Sequence, residues 1–483
     1  MNPFSYPSFI PYQMMNKIFL LPLILFIFSL SNAFAETLPN DAKTFDATTF
    51  TLQNGMQVIV IPNHRAPVIT HMIWIRAGAA DEPESVSGVA HFLEHLMFKG
   101  TKKEEPGAYS KKIRAIGGDD NAFTGQDYTA YFATLPSSQL DLIMSLERDR
   151  LENLTPPLPH IESEKKVIIE ERRQRTENDP YGPLYEQINA YLFASTPYDN
   201  PVIGWMKDME KLTYHDVQAF YKTWYTPQNM ILILSGDITP ERAQKMATAY
   251  YADLKQKELP QRQRLSPPIH PAQTTLRFES DQIAQSALIM AWRVPSYAEA
   301  PQDAIAFDLV QNILAGGNWA PLYQELVVRQ KIAVSVSMDY DGNSLNGGSF
   351  WISATPAPGI TLDTLQKAIW KTLASLPQYL TPAAQERATT RLLDQVTFMR
   401  DSVSGPAMIV GQAMTTGLSL EDVQSWPARV RSIPLKTITH TFEQFLSKTG
   451  GVYGPPLITE VIAKNPAGGA SVPSLLPFKG PHS

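Results

Sequence analysis

Hydrophobic and polar positions change period along this chain in an order that recurs in its second half. Positions 50–62 alternate in the manner of a strand pair, with Asn54-Gly55 at the turn, and 68–77 is a further strand. Val89, Phe92, Leu93 and Leu96 then recur with helical spacing between Gly88 and a stop at Gly100. Residues 109–116 predict a short helix halted by Gly117-Gly118, and 121–135 a β-like stretch carrying Tyr128, Tyr131 and Phe132. A helix capped by Ser137 or Ser138 runs to about 151, and a charged helix covers 159 to about 176. Residues 214–224 read as helix and 230–236 as a buried strand, after which Thr239-Pro240 opens a helix to about 254.

The pattern breaks at 255–272, rich in Gln, Arg, Lys and Pro, which is the expected interdomain linker. Beyond it, strands are expected at 274–279, 286–294, 333–340 and 348–354, with helices at 303–314, 361–376 and 382 to about 403. Each half thus runs through strands, a helix, paired strands and long helices. The expected fold class is α/β (α+β) in two similar domains, 45–254 and 273–466, ahead of a disordered Gly-, Pro- and Ser-rich tail at 467–483.

Composition adds three constraints. The 483 residues, 43% hydrophobic and 18% charged, are enough for two to four globular domains. A net charge of −6 gives no reason to expect a nucleic-acid partner. The absence of cysteine excludes disulfides and thiolate metal sites, so any metal must be held by histidines and carboxylates. Residues 1–35 read as a secretory signal: Lys17, an apolar run at 18–30, and Ala33-Phe34-Ala35 as a cleavage pattern, with translation starting at Met1, Met14 or Met15. The run is short for a membrane span. The expectation is a mature chain beginning near Glu36, exported to a periplasm-like space with no stable membrane span; an uncleaved anchor is the competing reading.

Chemistry concentrates at His91-Phe92-Leu93-Glu94-His95. Histidines four apart on a helix share a face and can reach one metal ion, and Glu94 shares that face. H-x-x-E-H is the inverse order of a zinc-peptidase motif. Zinc chemistry of this kind needs about three protein ligands, an open position and a carboxylate base beside it; the bland alternative is a solvated helix face. A third ligand is sought in the stretch from Glu164 to Glu171. Those two glutamates lie seven apart on one helical face, and Glu170 lies about 100° off it. None of His64, His71, His160, His215, His270, His440 or His482 has a partner at ligand spacing.

The run Gly88-Val89-Ala90-His91-Phe92-Leu93-Glu94-His95-Leu96-Met97-Phe98-Lys99-Gly100-Thr101 resembles the active-site segment of the pitrilysin family of zinc metallopeptidases. That family includes bacterial processing proteases and the beta subunit of the mitochondrial processing peptidase. Its third zinc ligand is a glutamate about 76 residues after the second histidine, and 171 − 95 = 76 lands on Glu171. The resemblance implies one Zn²⁺ per chain on His91, His95 and Glu171, with Glu94 as general base and Glu164 supporting a histidine ligand from behind. It implies paired domains of LuxS/processing-peptidase type, each an antiparallel-rich sheet packed with helices, the second inactive. Asn121-Ala122-Phe123-Thr124 resembles a family segment that offers a strand edge to a peptide substrate, which marks Asn121, Ala122 and Phe123 as substrate contacts. The competing reading of Asn121 is a turn before a strand.

The resemblance also carries a departure. Family enzymes receive an Arg and a Tyr, with six residues between them, from the second half or from a partner. Here Val327 and Val334 stand at those places after Leu322-Tyr323-Gln324-Glu325-Leu326. The expected partner is a homologous chain supplying the Arg and Tyr in a two-chain chamber, with a homodimer as the alternative. The expected function is hydrolysis of peptides or unfolded segments. A non-catalytic structural subunit and a dedicated maturation protease for one peptide product are its rivals.

Overall fold

A computed structural model of the chain describes residues 43–400 and 402–464. The signal-like run, the A-x-A pattern and the tail lie outside these residues. Two sheets organise the chain. The first has six strands: β1 (Thr48–Thr51), β2 (Gln57–Pro62), β3 (Val68–Ile75), β4 (Asp119–Thr124), β5 (Thr129–Pro136) and β6 (Met230–Gly236), in the order β1-β2-β6-β3-β5-β4. The second has five: β7 (Thr275–Ser280), β8 (Ala287–Val294), β9 (Ala333–Asp341), β10 (Gly348–Pro356) and β11 (Leu457–Ala463), in the order β7-β11-β8-β10-β9. With β1 set aside, the two orders are the same. In each sheet the last strand of the half pairs parallel to the first (β2 with β6, β7 with β11), and the remaining pairings are antiparallel. Similar α/β halves with antiparallel-rich sheets are therefore the architecture.

Burial explains the strand order. β6 reads Met-Ile-Leu-Ile-Leu-Ser-Gly, is buried throughout and sits in the interior of its sheet; β8 is likewise buried throughout. β4 and β9 carry polar residues and each form one edge of their sheet, opposite β1 and β7. The single β-like stretch expected at 121–135 is a hairpin, because Gly125 turns the chain between β4 and β5. Among the described residues, no helix is long and apolar enough to cross a membrane.

One face of the first sheet is covered by its own half's helices: α1 (Val89–Leu96), α2 (Ala108–Ala115), α3 (Leu140–Asn153), α4 (Leu158–Arg172), and those at Tyr214–Trp224 and Pro240–Tyr251. The other face is covered from the second half. Ala407, Val410 and Met414, on the helix Gly405–Thr415, pack with Leu420 and Val423 against Ile59, Met72, Trp74, Ile231 and Ile233. Gly411 presses on Trp74 so closely that a Cβ there would lie 2.0 Å from the indole. The exchange is reciprocal. α5 (Gly182–Leu192), from the first half, lays Leu184, Ile188 and Leu192 on the second sheet against Ala287, Ile289, Ala291, Leu457 and Val461. The two halves consequently form one compact body.

Segment 255–272 carries no helix or strand, but it is pinned at two arginines. Arg262 and Arg264 grip buried Asp81 at 2.8 Å each, and Arg264 also grips buried Asp127 at 2.9 Å.

Candidate metal centre

α1 buries Val89, Ala90, Phe92, Leu93 and Leu96 in the core. The period that hides these residues turns His91, Glu94 and His95 to the opposite face. The two imidazoles meet edge to face, 4.7 Å between centroids. α4 runs alongside and brings up Glu171. Its Oε2 lies 3.3 Å from His95 Nε2 and 3.7 Å from His91 Nε2. One ligand atom from each of the three falls within 4.8 Å of the others. Two ligands of a tetrahedral zinc, each about 2.1 Å from the ion, stand about 3.4 Å apart, so this donor set fits one zinc ion.

The surrounding groups orient the three. Glu164, one face and two turns earlier on α4, receives His95 Nδ1 at 2.8 Å, which leaves Nε2 facing Glu171. Lys99 Nζ holds the other Glu164 oxygen at 2.7 Å. Arg175 Nη1 pairs with Glu171 Oε1 at 3.0 Å, so Oε2 is the oxygen left to the imidazoles. Glu170 is exposed and pairs with Arg173. α4 does not run on regularly to 176: it loosens into a π-helical turn at Arg173–Glu177, and that turn delivers Arg175. Among the described residues, the buried His91 Nδ1 has no hydrogen-bond partner.

Charge states follow contact. Burial, then the neighbouring His95, pushes His91 down to about 3, so it is neutral. Burial would lower His95 too, but hydrogen bonds to Glu164 and Glu171 raise it to about 9, because His95 alone touches both carboxylates. Burial works against the charge of Glu171 as well; the His95 hydrogen bond and the nearby His91, His95 and Arg175 outweigh it and hold Glu171 down at about 2. Glu94 is pushed up by burial and pulled back by the Thr124 hydroxyl, which donates to its Oε2 at 2.6 Å.

Of the expected substrate contacts, Asn121, Ala122 and Phe123 all lie on β4, the edge strand beside α1. They do not share a role. Asn121 is exposed and its side chain accepts from the Ala122 amide at 2.9 Å. Ala122 packs on the α1 side of the sheet. Phe123 turns to the far face, edge-on to Trp74 at 5.3 Å, so only its backbone can meet a ligand on the α1 side. Tyr131 is core beneath the site, and Tyr128 and Phe132 belong to the opposite face.

Sequence reasoning missed Lys99, Thr124 and Arg175. Lys99 and Arg175 each stand one helical turn beyond a ligand, at i+4 from His95 and Glu171. Thr124 shows no such signal, because its partner is 30 residues away.

A sequence model described as "Insulinase (Peptidase family M16)" matches residues 57–205, and one described as "Peptidase M16 inactive domain" matches 211–392. The chain belongs to the M16, pitrilysin-like family of peptidases. It is 29% identical over 330 residues to the zinc protease PqqE of Helicobacter pylori, covering 68% of this chain and 73% of that one. The crystal structure of a protease from Helicobacter pylori superposes with a TM-score of 0.78 at 24% identity, over 86% of this chain and 99% of that one. Pitrilysin superposes with a TM-score of 0.69 at 17% identity, over 89% of this chain but 46% of its own.

Among the described residues, the second M16 half has no equivalent cluster. Its helix Pro301–Ala315 contains neither histidine nor glutamate, and Phe307 there stacks among Tyr340, Phe350 and Phe445. Val334 is exposed and Val327 half-buried. Arg329 pairs with Glu325, and the Tyr340 hydroxyl donates to the Pro295 carbonyl at 2.8 Å.

Proposed function

We propose that this chain is a zinc-dependent endopeptidase acting on peptides or unfolded segments, with His91, His95 and Glu171 as ligands of a single ion. The observation that carries this reading is the convergence of two Nε2 atoms and one carboxylate oxygen, with Glu94 beside them and an edge strand alongside. Zinc held there would polarise a scissile carbonyl and lower the pKa of a water towards about 7. In that setting Glu94 would take the water's proton during attack and return it to the leaving amine, and the Thr124 hydroxyl holds the carboxylate in line. Glu164 keeps His95 in the tautomer that offers Nε2. The exposed edge of β4, at Asn121, Ala122 and Phe123, aligns an extended peptide by strand addition.

The partner follows from what the second half lacks. Val327 and Val334 offer no hydrogen bond to a substrate carbonyl, and Arg329 and Tyr340 are engaged elsewhere. We infer that a homologous chain supplies an Arg and a Tyr and closes a two-chain chamber. Export to the periplasm, with the signal removed near Ala35, completes the proposal. The test is hydrolysis of quenched peptides of graded length by the zinc-loaded chain, alone and with such a partner. No hydrolysis in either case would favour a non-catalytic subunit.

A further inference from the structure

The first turn of α1 is held by a residue outside the proposed chemistry. A helix of eight residues is marginal by itself, and its first amides lack intrahelical partners. Gly88 at its start has no side chain to cap them. Glu82 does so from the preceding loop: Oε2 accepts from the Gly88 amide at 2.9 Å and Oε1 from the Ala90 amide at 2.8 Å. Burial pushes this carboxyl up to about 8, against the pull of those amides. The two amides, one on each oxygen, work the other way, because a protonated carboxyl would turn a hydroxyl towards one of them.

The same turn is gripped from the other side. Ser87 donates to buried Asp208 at 2.8 Å. Gly204 lies so near Gly88 that a Cβ on it would stand 2.6 Å from the Gly88 Cα. Arg172, the residue after Glu171, donates to the Gly204 carbonyl at 2.7 Å. Asp81, beside Glu82, is clamped by Arg262 and Arg264. The start of the helix that carries two candidate ligands and the end of the helix that carries the third are thus tied at one junction.

We propose that Glu82 is a positioning residue for the metal ligands: by holding the Gly88 and Ala90 amides it sets where α1 begins, and with that the separation of the His91 and His95 imidazoles from Glu171. The proposal rests on the zinc reading of the site. Glu82→Gln keeps the size but leaves one acceptor and presents an N–H to an N–H. With zinc alone as probe, competing against a chelating dye, E82Q should bind about 10–100-fold more weakly than the unaltered protein, whereas Glu84→Gln, at an exposed position two residues on, should bind normally. Unchanged zinc affinity in folded E82Q, even with a lowered melting temperature, overturns the proposal and leaves Glu82 a structural cap only. If E82Q does not fold, hydrogen exchange on the unaltered protein decides. Coupling is reciprocal, so zinc must slow exchange at the Gly88 and Ala90 amides; no change on loading overturns the proposal. An unaltered protein that binds no zinc at all is a different result, against the reading of the site itself.

Discussion

Glu164 Oε1 lies 2.8 Å from His95 Nδ1, while Lys99 occupies the other oxygen of the same carboxylate. The histidine therefore cannot turn its other nitrogen away from Glu171 without abandoning a charge-assisted bond. Glu164→Gln keeps an acceptor for Nδ1 but loses the charge and the lysine. Zinc affinity should fall by about 10-fold or more, with Lys99→Met showing a smaller loss. Dye-competition titrations of the two variants check the order.

Thr124 should separate chemistry from metal binding. Thr124→Val preserves shape and strand propensity but removes the hydroxyl on Glu94. We expect normal zinc content and nearly normal KM, with kcat reduced by about 10-fold, the scale of one hydrogen bond of about 1.4 kcal/mol. Steady-state kinetics beside metal analysis test this; a zinc-depleted variant would mean that Thr124 acts on the site as a whole.

Much of this site was legible because H-x-x-E-H places three groups on one helical face, and the resemblance then distinguished Glu171 from Glu164. The edge strand was legible as a segment, but the alternation within it sends Phe123 to the opposite face, so the three expected contacts could not act alike. What escaped the sequence was non-local. α5 opens on Gly182-Pro183 and takes its burial from the other half's sheet, so local periodicity gave no notice of it. β11 enters its sheet beside β7, a strand from the far end of the same half, and only that long-range pairing marks it as interior. The helices Gly405–Thr415, Leu420–Ser432 and Leu435–Phe445 were missed among polar and Gly/Pro-containing runs. The helix from Pro382 ends at Arg400 rather than near 403.

Reciprocal packing predicts joint unfolding. Ile188→Ala opens a cavity between α5 and the second sheet, and should cost about 2–5 kcal/mol. Gly411→Ala forces a methyl into Trp74 on the first sheet and should cost about 1–3 kcal/mol. Because each change lies at a helix covering the other half's sheet, denaturation followed by Trp fluorescence and by far-UV circular dichroism should shift together in both variants. Two separated transitions would contradict the exchange of helices as the source of cohesion.

His71 predicts a pH dependence remote from the metal centre. Burial lowers it from 6.5 to about 4; the nearby charges of Glu147 and Arg150 oppose each other, and Nε2 meets the Tyr251 hydroxyl at 2.9 Å. The unfolded chain takes up this proton as pH falls below 6.5, and the folded chain does so only near 4. The stabilisation is thus full above 6.5, is lost as pH falls towards 4, and changes no further below; in all it amounts to about 3 kcal/mol. The stability difference between the unaltered protein and His71→Gln, measured by urea denaturation from pH 7 to 4, should move by that order in favour of the variant. A constant difference would show that folding does not lower the pKa of His71.

His91, His95 and Glu171, and not Glu170, are the proposed ligands of one zinc ion. Metal analysis of the purified chain after zinc loading and desalting, compared between Glu171→Ala and Glu170→Ala, tests this assignment most directly. About one zinc per chain is expected in the unaltered protein and in Glu170→Ala, and little in Glu171→Ala. Zinc retained without Glu171, or lost without Glu170, would contradict it.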